Sequence, residues 1–376
     1  MPKMYWPHLS VLPALLFLWA CGGNDNSPSG VLMGGNVQGR PLVLSGDVIT
    51  WAGDSSANHT DCTVVGTGAS FDYPCGVTTD GTSLYVADSN NNRIRRIEIA
   101  TSAVTTVAGD GLPTSTDCTV TGLGASFSSP RSITTNGTFL YVADTNNHSI
   151  RRIAIGGTWA VETVAGDGTL GATDCTVGVG ASFNLPRGIT TDGTFLYVTD
   201  TDNHLIRKIV ISTGAVTTVA GDGTIGATDC TVGTGATFNS PYGIATDGQS
   251  IYVADSGNHL IRKIVISTGA VTTVAGDGTI GATDCTVGAG ASFNSPRGIA
   301  TDGRNLYIAD TDNHLIRKIV IGTPWAVSAV AGTAMTPGAA DGTGGSASFD
   351  IPRSITTDGS FLFVADSQNN LIRKIR

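Results

Sequence analysis

One pattern, written six times, places reactive side chains at regular intervals along the chain. Imidazoles stand at His148, His204, His259 and His314. Carboxylates recur at Asp88, Asp144, Asp200, Asp255, Asp310 and Asp366, and guanidiniums at Arg95, Arg151, Arg207, Arg262, Arg317 and Arg373. A recurring proline is followed in turn by Cys75, Arg131, Arg187, Tyr242, Arg297 and Arg353. A glycine-rich loop, AGDGTIGATDC in two of its copies, carries Asp222 and Asp229, or Asp277 and Asp284, ahead of a cysteine. Imidazole is the commonest metal ligand, and clustered carboxylate oxygens suit calcium. Arginine offers planar, bidentate donors to carboxylate, sulfate or phosphate. Which of these chemistries is available depends on where the repeat puts each residue.

The repeating prolines, Pro74, Pro130, Pro186, Pro241, Pro296 and Pro352, are 56, 56, 55, 55 and 56 residues apart. Self-similarity at such a period marks a repeat architecture, so the unit has to be read before the whole. In the unit opened by Pro241, YGIATDG is a short apolar run closed by Asp247-Gly248, and SIYVADSGN is a β-branched and aromatic run closed by a turn. HLIRKIVIS then alternates Leu260, Arg262 and Ile264 with Ile261, Lys263 and Val265, and AVTTVAG follows after STGA. Four short strands joined by tight turns make an antiparallel meander, and such units arranged radially make a β-propeller. The expected fold is therefore all-β, with six four-stranded blades. The sixth copy stops after its third strand, at Leu371–Arg376, while a matching outer strand, VITWAG, stands at Val48–Gly53. This N-terminal strand is expected to complete the last blade and close the ring, removing an exposed edge.

The 376 residues carry 50 Gly, 14% charged residues and a net charge of −9, which offers no basic footprint for nucleic acid. Residues 1–20 read as a signal peptide, with Lys3 before an apolar run from Val11 to Ala20 that is too short for a permanent membrane span of about 20 residues. Leu18-Trp19-Ala20-Cys21 resembles the bacterial lipobox, which implies lipidation of Cys21; cleavage by the ordinary signal peptidase is the alternative. Residues 21–45 read as a flexible tether and 46–376 as the propeller. The expected location is outside the cytoplasm, on the outer membrane or cell surface, with the periplasmic face as the alternative. Membrane contact is expected through the lipid anchor only.

Asn203-His204-Leu205, Asn258-His259-Leu260 and Asn313-His314-Leu315 lie inside a longer pattern, P-x-G-I-x-x-D-G-x-x-L-Y-V-A-D-x-x-N-H-L-I-R-K-I. By these residues the chain resembles the NHL-repeat proteins over 48–376, which implies a six-bladed propeller. Copies one, two and six depart from the pattern, and Asn92 and Asn370 replace the His in two of them, so the position does not demand an imidazole. A structural hydrogen bond is the expected role of the four His. The resemblance extends to the peptidylglycine α-amidating lyase, whose central metal is held by inner-strand His. The inner strands here, such as RGITTD, contain none.

The six Asp are expected to pair with the six Arg of the third strands, because a repeat supplies one environment six times and not the unlike pair that acid–base catalysis needs. Residues Cys75, Arg131, Arg187, Tyr242, Arg297 and Arg353 enter the innermost strands and are expected to ring one mouth of the channel as a ligand-binding rim. The competing reading pairs each of these Arg with an Asp of its own or the next blade. Tyr242 is expected to stack against a sugar or peptide side chain. The loop cysteines Cys62, Cys118, Cys175, Cys230 and Cys285 are read as small buried residues, with Cys62–Cys75 the one pair close enough in sequence for a disulfide. No resident metal or cofactor is expected, calcium at the Asp-Gly loops being the exception considered. Together these readings describe a monomeric binding or scaffold module for a protein, peptide or anionic glycan. A metal-dependent lyase or lactonase and a structural spacer are the alternatives.

Overall fold

A computed structural model describes residues 41–376. The signal-peptide, Cys21 and most of the tether readings lie outside the described residues. Strands and short turns form six antiparallel sheets, one per repeat, and sequential strands are neighbours throughout the first five blades. In the third blade the order from the axis outwards is Pro186–Thr191, Phe195–Asp200, Leu205–Val210 and Val216–Ala220. β-Branched and aromatic residues fill these strands, and their alternation buries both faces against neighbouring blades. Tyr141, Ile150 and Ala165 of blade two, for example, pack with Phe183, Ile189, Leu196 and Ile209 of blade three. The core is thus a ring of clusters between blades.

The sixth blade closes as the sequence implied. Asp47–Ala52 lies antiparallel to Leu371–Ile375, with Val48 opposite Ile375 and Thr50 opposite Arg373. Gly342–Thr343 pairs on the far side of Asp47–Ala52 and covers its edge. Residues read as the end of the tether join this arrangement: Leu42 and Leu44 pack on the cluster between the fifth and sixth blades, and the Leu42 N–H donates to Asp302 Oδ2 at 3.1 Å.

Each blade carries one buried arginine as its internal clamp. Arg207 Nη1 donates to Asp200 Oδ2 at 2.7 Å and to Ser182 O, and Nη2 donates to Asp174 Oδ1 at 2.8 Å and to Thr173 O. Its guanidinium lies 5.1 Å from the Phe183 ring centre. The inner Asp therefore pairs with the third-strand Arg, as expected. The partner missed from sequence is the Asp of the TDC loop. That residue also accepts from the outer strand, so Asp174 receives the Thr218 N–H at 2.9 Å and ties the loop to the blade edge. Asp229 and Asp284, read as candidate calcium ligands, occupy this clamp position on Arg262 and Arg317. Asp222 and Asp277 accept from Thr224 and Thr279 within their own turns.

The cysteine reading changes in two respects. The six described cysteines are free. Cys62 faces outer-strand Val104 through paired backbone hydrogen bonds, whereas Cys75 is on the inner strand, so the two stand at opposite ends of a blade. The loop cysteines are half-buried, unlike the fully buried Cys75, because they lie over the edge strand and not under it.

Candidate functional site

The residue after each recurring proline is aimed by a break in the strand ladder. Pro186 pairs with Asp200 and Gly188 with Thr199, which leaves Arg187 as the extra residue of a β-bulge. The same shift occurs after all six prolines. A bulge re-aims a side chain and unpairs it from the ladder. Here it turns Cys75, Arg131, Arg187, Tyr242, Arg297 and Arg353 into one small chamber at the end of the channel. The inner strands crowd together at this level: a Cβ on Gly243 would sit 1.8 Å from Arg297 O. Only glycine permits that approach.

A latch holds each bulge in place. The residue before the proline has positive φ, from 47° at Ser240 and Ser295 to 55° at Tyr73, and includes β-branched Ile351 at 53°. Its N–H is donated to the preceding blade: Leu185, Ser240, Ser295 and Ile351 bond to Nδ1 of His148, His204, His259 and His314 at 3.0–3.2 Å. In the remaining two joints Ser129 and Tyr73 donate instead to Oδ1 of Asn92 and Asn370. An Asn oxygen and an unprotonated imidazole nitrogen serve equally as acceptors, which explains why the sequence interchanges them. Each His or Asn is itself left-handed, with φ of 51–59°. The four imidazoles are thus joints between blades, and burial holds those of His148 and His259 below their ordinary pKa. A second bond crosses every joint, as when Thr201 Oγ1 donates to Pro241 O at 2.8 Å and Ser367 Oγ to Pro74 O at 2.6 Å.

Within the chamber the arginines converge on Tyr242. Arg131 and Arg353 donate to its hydroxyl at 3.2 and 3.1 Å, while the guanidiniums of Arg187 and Arg297 lie 5.4 and 5.3 Å from its ring centre, within cation–π range. Tyr242 is 5% exposed, so the stacking surface expected to be free is occupied by arginine. Arg353 also lies over Tyr73, 4.6 Å from the ring centre. Among the described residues one carboxylate reaches this group: Asp202, 3.8 Å from Arg187. Arg131, Arg297 and Arg353 have no ion-pair partner among the described residues, so the reading that pairs each rim Arg with an Asp fails for those three. The Nε–H groups of Arg131, Arg187 and Arg353 are buried without an acceptor there.

Electrostatics follow from that crowding. Burial, and then the like charge of Arg353, push Arg297 below its ordinary pKa. Burial alone would raise the Tyr242 phenol, but Arg353 and Arg131 outweigh it and hold the phenol below its usual value. The chamber is a site of concentrated positive charge on a chain of net charge −9.

The other end of the channel differs. A cavity of about 180 Å³ is lined by the last three residues of all six inner strands, among them Thr78, Thr134, Thr190, Ala245, Ala300 and Thr356. Val77, Ile133, Ile189, Ile244, Ile299 and Ile355 form its floor, and Ile244, Ile299, Ser132 and Ser354 border both cavities. Sequence reading passed over these threonines because TT closes an ordinary strand.

Comparison with known proteins agrees with this architecture. Residues 238–264 and 293–319 match the NHL repeat, and residues 129–148 match the LVIVD repeat. The chain is 28% identical over 297 residues to NHL repeat-containing protein 2 of Homo sapiens, a match covering 68% of this chain and 40% of that protein. The chain thus spans well under half the length of that relative. Among solved structures, a protein of unknown function from Bacteroides thetaiotaomicron is similar with a TM-score of 0.66 at 20% identity, over 88% of this chain and 75% of that one. An auxiliary nutrient binding protein from the same organism is similar with a TM-score of 0.64 at 17% identity, over 88% and 76%. The chain is a six-bladed β-propeller that carries NHL repeats.

Proposed function

We propose that this propeller is a binding module whose cationic chamber receives an anionic group, a carboxylate or sulfate, of a protein, peptide or glycan. One observation carries the reading: four guanidiniums converge on Tyr242 with, among the described residues, a single carboxylate beside them, at 3.8 Å. Half-buried like charges cost free energy unless a counter-charge joins them. An oxyanion that presents two oxygens to one guanidinium would take up the unpaired donors. The solved auxiliary nutrient binding protein lends support only as a use of this fold for binding. In this reading the protein works outside the cytoplasm, held to a membrane by a lipid on Cys21 and the tether that follows.

The test is retention of sulfated glycans and acidic peptides by the immobilised protein, against a variant with Arg131, Arg187, Arg297 and Arg353 changed to Gln. The expected outcome is a ligand held by the native protein, lost in the variant and weakened by salt as the Debye length shrinks. Equal retention by both, with matching melting curves, overturns the assignment.

A further inference from the structure

From the opposite end of the channel we infer a second binding site, for a single neutral, hydroxyl-rich six-membered ring such as a monosaccharide unit or cyclitol. It is separate from the cationic chamber and does not rest on that reading.

Two adjacent threonines end most inner strands, and their hydroxyls have different fates. The outer one of each pair is used by the fold: Thr79, Thr135, Thr191 and Thr357 donate to the carbonyl four residues on, at 2.8–2.9 Å. The inner ones, Thr78, Thr134, Thr190 and Thr356, line the cavity, and their hydroxyls have no hydrogen-bond partner among the described residues. The fold does not require them as hydroxyls, since Ala245 and Ala300 fill the same strand position in blades four and five. Ring order makes the difference directional. Blades six, one, two and three present a continuous polar arc, and blades four and five face it with a methyl-lined arc above an aliphatic floor.

The lining offers an anion no counter-charge: among the described residues no lysine or arginine borders the cavity. Its two carboxylates, Asp192 and Asp247, are taken up by their own turns and by the hydroxyls of Tyr197 and Tyr252 at 3.0 and 2.9 Å. A ligand here therefore meets hydroxyls on one side and apolar surface on the other, which is the amphipathic character of a pyranose or cyclitol ring. Volume limits it to one ring: a cavity of about 150 Å³ holds benzene, and this one measures about 180 Å³. Pockets for drug-sized ligands start near 300 Å³.

Saturation-transfer NMR on the full chain with D-glucose and myo-inositol tests the assignment, with cyclohexanol as a ring of matching size lacking most hydroxyls. Both polyols are expected to bind, and cyclohexanol to bind more weakly, because a site built for hydroxyls rejects a ligand lacking them. The paired change Thr134→Val and Thr190→Val should weaken polyol binding about tenfold while leaving the melting curve in place. Ala245→Phe, which fills the apolar side, should abolish it. Changing the four chamber arginines to Gln should leave it intact, which separates this site from the anion site. Absence of polyol binding by the native chain, or unchanged binding in the Val pair, overturns the inference.

Discussion

Arg207 and its five equivalents show how much a buried guanidinium demands of its surroundings. One carboxylate cannot satisfy a guanidinium's five N–H donors, so each clamp recruits two aspartates and two carbonyls for the four terminal N–H groups and a phenylalanine face, while the Nε–H of Arg207 has no acceptor among the described residues. Burial pushes the inner carboxyls, Asp200 among them, up to about 6, with the backbone N–H, Asn203 and Arg207 acting against it. Every partner of Asp200 is a donor, so the ionised form is the one that fits. Arg207→Met should cost about 3–5 kcal/mol by stranding a buried carboxylate, measured by chemical denaturation. The inter-blade latch makes a subtler prediction. His204→Asn should change stability by less than about 0.5 kcal/mol, as two joints already use Asn, whereas His204→Leu leaves the Ser240 N–H unpaired at a cost of about 1–3 kcal/mol. For His148 and His259 the folded pKa lies below the ordinary 6.5, so the folded state disfavours the extra proton. Their contribution is complete above pH 6.5 and is lost as pH falls below it toward the folded values. Melting temperatures measured across that range should fall less steeply with acid in the variant carrying Asn at both positions than in the native protein. The shift at Tyr242 predicts that one phenol titrates below the ordinary value in ultraviolet difference absorbance, that Tyr242→Phe removes the signal, and that anion affinity declines as this phenol ionises.

At the scale of elements, irregularities do the positioning. The bulge after each proline, and not the regular ladder, turns six side chains into one chamber. The TDC loops cover the outer edges: Cys175 pairs with Val216, and Asp174 accepts from Thr218, so the outermost strand of the blade is not left bare. In the sixth blade Gly342–Thr343 does this for Asp47–Ala52. Thr50 pairs with Arg373 and its hydroxyl bonds Asp341 at 3.0 Å. Ile49, opposite Lys374, stands two residues along the antiparallel ladder from the Arg376 N–H to Asp47 O bond, so its N–H faces Leu371–Ile375; Ile49→Pro removes that ladder donor and should loosen the closing strand, exposing the Leu371–Ile375 edge. Light scattering on mild heating should rise earlier than in the native protein, and hydrogen exchange in Leu371–Ile375 should accelerate before that in the third blade.

For the whole molecule, closure joins distant parts of the chain through ordinary strand pairing. Gly46 N–H donates to Arg376 O at 2.8 Å and Arg376 N–H to Asp47 O at 2.9 Å, the beginnings of a hairpin that lacks only its turn. A permuted chain in which Arg376 is joined to Gly46 through a copy of Ile211–Thr213, with new ends between Ser55 and Ser56 in an exposed loop, should keep the fold. Its melting temperature should lie within a few degrees of the native value, because every strand pairing survives and the contacts given up are those of Leu42, Leu44 and Ser45 at the edge of the last blade.

What the sequence by itself determined was the repeat. The spacing of Pro74 to Pro352 set the number of blades, alternation within HLIRKIVIS set the strands, and the displaced VITWAG set the closure, because period and pattern are local properties that a fold must satisfy in every copy. Asp–Arg pairing and the structural use of the histidines were legible for the same reason: an arrangement made several times over has to be self-consistent. What only the tertiary structure decided concerns the axis, where six copies meet and their differences add. That Tyr242 is enclosed by arginines, that the TDC aspartate completes a clamp 33 residues away in sequence, and that four threonine hydroxyls form an arc facing two alanines all depend on distances across the ring or between loop and strand. A one-dimensional pattern specifies each blade. Chemistry at the centre is set by which blades stand opposite one another, and that geometry exists only once the ring has closed.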